Sequence, residues 1–338
     1  MNTVEFGMWR PELFEEGFTQ MNSGIPVDRI VLYAQEEFEY DIFQYFEFLV
    51  EYSDKHNVPF DIILCTDKHA SPRHDITNRK YRHVKLHYWC TFFLSQAYSH
   101  LIRTKDHLTP AEFKYPYVSM NAKPHVHRSL MLDTLAKYNL IDNGAVSWLE
   151  IADSSVKPGE LASVVRGYPY KYWTPVIKKL TEPGPNRMIL EVPAEYKQSF
   201  AQLVVESTVR EQVISEKTWM PILYRKPFVV LAHHGHHAIL QRYGFELYDE
   251  YIDYSFDSVQ DINVRAEAVA QNIARLVAYP EVARHKIYKR LLPKLEHNYN
   301  LAVSLATDIK QVPEIILDAH RDPLNGYCSR HIVDFIYE

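Results

Sequence analysis

Ten glycines in 338 residues are fewer than half of the ~7% that globular chains average. None of them falls in a GxGxxG or GxxxxGKS/T run. A glycine-rich dinucleotide loop and a P-loop are thereby excluded, because both need positions where only a missing side chain lets backbone N–H groups reach a phosphate. Any phosphate has to be held by side chains and helix N-termini. The three cysteines, Cys65, Cys90 and Cys328, lie far apart and form no CxxC pair. Neither a disulfide framework nor a structural zinc site is indicated, and a reducing cytoplasm fits best. No run of about 18 apolar residues occurs, and the N-terminus MNTVEFGMWRPELFEEG carries acids where a leader has an apolar core. No membrane span and no secretion are expected. No DxD motif is present either. The 37 Lys+Arg against 43 Asp+Glu give a net charge of -6, which argues against general coating of nucleic acid but leaves room for a local basic patch.

What is present is ordinary globular material, 46% hydrophobic and 24% charged, long enough for two packed cores. After a polar start marked by Gly24 and Pro26, Arg29 to Ala34 reads as a short buried strand. Residues 38–54 place Phe38, Ile42, Tyr45, Phe46, Leu49 and Val50 at helical spacing, and Phe60 to Thr66 reads as a second buried strand. Strand, helix and strand in about forty residues is the signature of a parallel sheet. Residues 86–101 are aromatic-rich and fit a helix or a helix-strand element. Tyr115 to Met120 reads as a strand, Asn121 to His127 as a turn and Arg128 to Tyr138 as a helix. Further strands are expected at Val146 to Leu149, Met188 to Val192, Gln202 to Glu206 and Pro227 to Ala232. Helices are expected at Glu216 to Tyr224, His236 to Tyr243, Val264 to Val277 and Ile287 to Leu305, the last interrupted at Pro293. The implied plan is a first domain over 1–110, a second over 111–280, and a helical segment over 281–338 that returns to the first domain, the roles of acceptor side and donor-binding side coming only from the resemblance described below.

The densest chemistry lies in residues 203–232. A buried strand ends at Glu206-Ser207-Thr208, and Ser215 caps a helix that opens with Glu216-Lys217-Thr218-Trp219. A helix N-terminus offers free N–H groups and a partial positive charge, and Lys217 in the first turn adds a full one. Those groups can hold a diphosphate without a glycine loop, and Glu216 can accept from ribose hydroxyls. The same three residues also fit a plain capped helix with a solvated lysine. The cluster His233-His234-Gly235-His236-His237 follows a strand end. Adjacent histidines rarely converge on one ion, so a metal site is the lesser reading beside a polar surface loop.

The whole stretch resembles the donor-binding motif of the α1,3-fucosyltransferase family, carried by Glu206-Ser207 and by Val213-Ile214-Ser215-Glu216-Lys217-Thr218-Trp219. The Asn that follows the family's Glu is missing here. VSMNAKPHVHRSLMLDTL, residues 118–135, is similar to the strand, Asn-containing loop and Arg-bearing helix that open the family's donor domain. SEKT, the PF strand, Gly244-Phe245 and Asp253 to Asp257 also resemble uncharacterised glycosyltransferases of phages and large viruses. The resemblance covers about residues 115–260. It implies an α/β fold of GT-B type, two Rossmann-like domains with parallel sheets facing across a cleft. It also implies that Arg128 and Lys217 contact the donor phosphates and Glu216 the ribose, with Asn121, Glu206, Ser207, Ser215, His233 and His234 completing the donor site.

The expected activity is transfer of a sugar from a nucleotide-diphosphate donor to a hydroxyl acceptor, with inversion if the likeness extends to mechanism. No cofactor and no metal are expected, because cationic side chains and a helix terminus can neutralise the leaving diphosphate. The location is the cytoplasm, the host's if the protein is viral. A general base has to take the acceptor proton, and Glu36 and Asp67, at the ends of the first two expected strands, are candidates; Glu36 and Glu37 equally suit a helix first turn. Residues 68–83 hold five Lys/Arg and one acid. Arg73, Arg79, Lys80 and Arg82 there can track a phosphate backbone, which admits DNA carrying hydroxymethylated cytosine as an alternative acceptor to a glycan. A non-catalytic nucleotide-sugar-binding module is a further alternative.

Overall fold

The computed structural model describes residues 2–7, 11–34, 40–64, 82–90, 93–94, 97–98, 113–121, 125–148, 177–179, 188–190, 194–209, 212–308 and 310. The chain divides into two units: one comprises Met1–Gln96, Glu211–Ile214 and Leu305–Glu338, the other Ala97–Arg210 and Ser215–Ser304. Each is mixed α/β and contains a four-stranded, all-parallel sheet.

In the first unit the strands are β1 (Thr3–Gly7), β2 (Arg29–Ala34), β3 (Phe60–Leu64) and β4 (Val84–Tyr88), in sheet order 1-2-3-4. Helices α1 (Pro11–Met21) and α2 (Tyr40–His56) cross between the first three strands. A sequential order with right-handed crossovers places both helices on one face. Phe18 of α1 and Phe48 of α2 meet edge to face at 5.4 Å there. The face below them buries Val4, Phe6, Ile30, Leu32, Phe60 and Ile62. Gly17 is required in α1, since a Cβ on it would lie 2.6 Å from the Phe6 ring. The polar start expected before Arg29 is therefore corrected: Thr3 to Gly7 adds a strand whose register runs Val4 with Ile30 and Phe6 with Leu32. Asp61 interrupts the apolar run of β3. It is 2% exposed and satisfied by Arg29 Nε at 2.8 Å and His87 Nε2 at 2.6 Å from the two neighbouring strands.

In the second unit β5 (Tyr115–Asn121) is followed by α3 (Val126–Lys137) and β6 (Ala145–Trp148). A two-stranded antiparallel ribbon, β7 (Ile177–Lys179) with β8 (Met188–Leu190), intervenes. Then come α4 (Ala194–Lys197), β9 (Ser199–Val205), α5 (Glu216–Leu223), β10 (Phe228–Leu231), α6 (His236–Arg242), α7 (Ile262–Ala278) and α8 (Glu281–Thr307). The sheet order is β10-β9-β5-β6. Every residue of β9 and β10 is buried, as expected for strands covered on both faces. Of the apolar face expected on α7, Ala268, Ile273, Leu276 and Val277, the structure buries Ile273 and Leu276 and leaves Ala268 and Val277 half-buried, with Ala266, Val269 and Ala270 completing the buried stripe; α7 is tied to the end of α3 by Lys137 and Tyr138, both bonded to Glu267. The expected break at Pro293 does not occur: α8 runs through it. Pro293 and the Lys289 position four residues earlier are both exposed, so water can satisfy the carbonyl that the missing N–H leaves open.

Candidate functional site

The order of the second sheet sets where a ligand fits. From β5 the chain moves through α3 to β6 on one side, and from β9 it moves through α5 to β10 on the other. The direction of winding therefore reverses between β5 and β9, and the loops leaving their carboxyl ends part to form a crevice. The β5 side supplies Asn121, and Arg128 from the first turn of α3. The β9 side supplies Glu206 and Ser207, then Ser215, Glu216 and Lys217 at the start of α5.

Glu206 organises this edge. It is 1% exposed, and its carboxylate accepts four hydrogen bonds. Oε1 takes the Ser215 N–H at 3.1 Å and the Thr218 hydroxyl at 2.6 Å. Oε2 takes the Ser207 N–H at 3.1 Å and the Ser215 hydroxyl at 2.5 Å. Ser215 has extended backbone, and its Oγ accepts from the Lys217 N–H, so the expected N-cap is formed. A buried carboxylate with four donors holds a loop in place rather than offering acceptors to a ligand.

Lys217 lies along the mouth. Its ammonium donates to Ser207 Oγ at 2.8 Å and to Glu216 Oε1 at 2.5 Å, and its side chain is 27% exposed. Surrounding protein atoms work to raise the Glu216 pKa, but the Lys217 ammonium and the Arg128 guanidinium outweigh them and keep it below the usual carboxylate range. Arg128 is buried, and both its Nη2 at 3.4 Å and the His127 Nε2 at 2.8 Å donate to the Glu206 carbonyl. Those two bonds from α3 close the switch point across to β9. Asn121, also buried, donates from Nδ2 to Ser119 Oγ at 3.1 Å and to the Ser147 carbonyl at 3.3 Å, while its Oδ1 has no partner among the described residues.

Of the alternatives open for the histidine cluster, the polar surface loop does not hold: only His234 is exposed, and His233, His236 and His237 are buried. Gly235, at φ +79°, makes the turn that folds them inward. The Thr218 hydroxyl donates to Glu206, so its oxygen accepts from His236 Nε2 at 3.2 Å. His233 donates from Nδ1 to the His234 carbonyl at 2.8 Å. Burial lowers His233 to about 4 and His236 well below its ordinary value, so both rings are neutral at pH 7. His237 donates from Nδ1 to Asp257 at 2.8 Å and accepts the Val230 N–H on Nε2. Burial works to raise Asp257, but His237 and the N–H groups opening α6 hold it at about 2. Among the described residues no three His, Cys, Asp or Glu side chains gather as a metal-ligating group.

The geometry adds two participants that motif reading missed. Thr218 links Glu206 to His236, and Arg265 sends its guanidinium to the Ala232 carbonyl just beyond β10. A signal for Arg265 is in the sequence: it heads the apolar stripe of α7, where a charged side chain has to be buried or bent away. Glu36, Asp67, Arg73, Arg79 and Lys80 lie outside the described residues, and Arg82 is exposed just before β4. Among the described residues no helix is long and apolar enough to cross a membrane. No family model, no curated protein and no solved structure matches the chain.

Proposed function

We propose that the protein is a metal-independent glycosyltransferase of GT-B type. In this reading it takes a nucleotide-diphosphate sugar at the β5/β9 switch point and passes the sugar to a hydroxyl acceptor. The observation that carries the reading is the position of Lys217: an ammonium in the first turn of a capped helix, at the crevice where the winding of a parallel sheet reverses, with Arg128 buried on the opposite lip. That arrangement suits a diphosphate in a chain without a phosphate-binding glycine loop. The fucosyltransferase-like motif places the same two residues on the donor phosphates.

The chemistry is displacement at the anomeric carbon. As the bond to the diphosphate oxygen breaks, negative charge grows on the leaving group. Lys217 and Arg128 are fixed in place beforehand to meet it. Glu216, kept ionised by its two cationic neighbours, accepts from the ribose hydroxyls. The proton of the acceptor hydroxyl has to pass to a general base; the candidates read from the sequence, Glu36 and Asp67, lie outside the described residues.

Calorimetry tests the donor site. Lys217→Ala and Arg128→Ala should each weaken binding of the preferred nucleoside diphosphate by about 1.5–3 kcal/mol, the worth of one charge-assisted contact. Unchanged affinity in both variants, with the fold intact, refutes the assignment. Transfer should survive EDTA, and loss of activity that manganese restores would refute metal independence. Donor binding with neither transfer nor hydrolysis would leave a binding module.

A further inference from the structure

Among the described residues Arg265 is a buried cation with no acid in ion-pair contact, its charge met only at longer range by Asp257 and Asp261. Its side chain leaves the first turn of α7, is 4% exposed, and donates to the Ala232 carbonyl one residue past β10. That point adjoins the site, since the Glu206 N–H bonds to the Leu231 carbonyl. Among the described residues the guanidinium makes no other hydrogen bond, its Nε has no partner, and no carboxylate comes within ion-pair distance.

The nearest acids are engaged elsewhere. Asp257 accepts the His237 and Ala238 N–H groups and the His237 ring, and Asp261 caps α7 through the Asn263 N–H. His233 and His236 face the same region as neutral rings, each with one buried nitrogen lacking a partner, Nε2 and Nδ1 respectively. A guanidinium taken out of water with no acid in ion-pair contact is unfavourable, and its open Nε–H is the free donor at this end of β10, while the open nitrogens of the neutral His233 and His236 rings are acceptors that add no affinity for an anion.

We infer that Arg265 is a third cationic ligand of the donor site, and that its counter-ion is an oxyanion of the bound nucleotide sugar, either the distal phosphate or a carboxylate on the sugar ring. The inference rests on the donor-site reading above. It extends the anion site from the β5/β9 crevice toward the end of β10, where Thr218 and His236 are hydrogen-bonded to each other.

The experiment uses the full chain, Arg265→Met and Arg265→Lys, and three probes independent of the nucleobase: inorganic pyrophosphate, glucose 1-phosphate and glucuronate 1-phosphate. If the counter-ion is the distal phosphate, Arg265→Met binds pyrophosphate at least tenfold more weakly, and Arg265→Lys falls between it and the wild type. If it is a sugar carboxylate, pyrophosphate binding is unchanged and the wild-type preference for glucuronate 1-phosphate over glucose 1-phosphate disappears in Arg265→Met. In both cases the unliganded Arg265→Met protein melts no lower than the wild type, because a buried charge with no acid in ion-pair contact has been removed. Affinities for all three probes within twofold of wild type overturn the inference; Arg265→Lys carries the same criterion if the Met variant does not fold. Lys217→Ala separates the two levels: loss there without loss at Arg265 overturns this inference alone, and loss at neither overturns the donor-site reading with it.

Discussion

Replacing Glu206 with Gln separates an organising role from direct contact with the donor, which the motif resemblance alone implies. Gln keeps the shape but turns one carboxylate oxygen into an NH2 group. Each oxygen of Glu206 serves one backbone N–H and one hydroxyl. The hydroxyl can rotate to accept from the new NH2, whereas the backbone N–H cannot. Whichever way the amide sits, the N–H of Ser207 or of Ser215 is left buried and unsatisfied, at a cost of about 1–3 kcal/mol. The bonds that remain lose their charge assistance, roughly another 1 kcal/mol each. Relief from burying a carboxylate offsets part of this, leaving a net loss of about 2–4 kcal/mol, a large share of the ~5–15 kcal/mol that stabilises a typical domain. Urea denaturation at pH 7 reads this directly. Pyrophosphate titration of the folded variant should show a parallel loss of affinity, since Lys217 and Ser215 are placed through Glu206. A variant as stable as wild type would refute the reasoning, since it would show that the four bonds to the carboxylate do not hold the loop.

Two further expectations concern buried bases. Lys226 is 2% exposed, donates to the Ser199 carbonyl and lies 5.0 Å from the Tyr196 ring, with burial lowering its pKa to about 7. The unfolded lysine keeps its ordinary value, so stability rises with pH between about 7 and 10.5 and is flat below 7. By about 1.36 kcal/mol per pH unit the span is on the order of 4–5 kcal/mol. Lys226→Met should abolish that rise and, after the loss of the Ser199 bond, gain roughly 2–3 kcal/mol at pH 7; equal slopes in denaturation curves at pH 7 and 9 for the two proteins would contradict it. His233, lowered to about 4 by burial, behaves in the same sense at lower pH: its contribution is complete above about 6.5 and is lost as pH falls toward 4, about 3 kcal/mol in all. His233→Asn, whose amide can replace the ring Nδ1 as donor to the His234 carbonyl, should flatten the acid limb of a melting-temperature profile, and an unchanged limb would remove His233 as its cause.

Local order was legible in the residues themselves. Arg29 to Ala34 and Phe60 to Leu64 are strands because short apolar runs bounded by polar residues have few other solutions, and Ser215 caps α5 because its hydroxyl reaches an N–H two residues on. The apolar stripe of α7 repeats at the helical period. What tertiary structure alone decided is how the charged and polar groups are compensated. Glu206 and Asp61 look like loop and edge carboxylates until residues 9 to 32 positions away deliver their donors. The five-residue histidine run reads as polar until Gly235 turns three of its rings inward. Arg265 stands 33 residues from the carbonyl it meets. Backbone propensity and apolar spacing act between neighbours, so they are written in consecutive residues. The state of a buried charge depends on which strands lie side by side, and that order, β10-β9-β5-β6 with its reversal between β9 and β5, exists only once the sheet has formed.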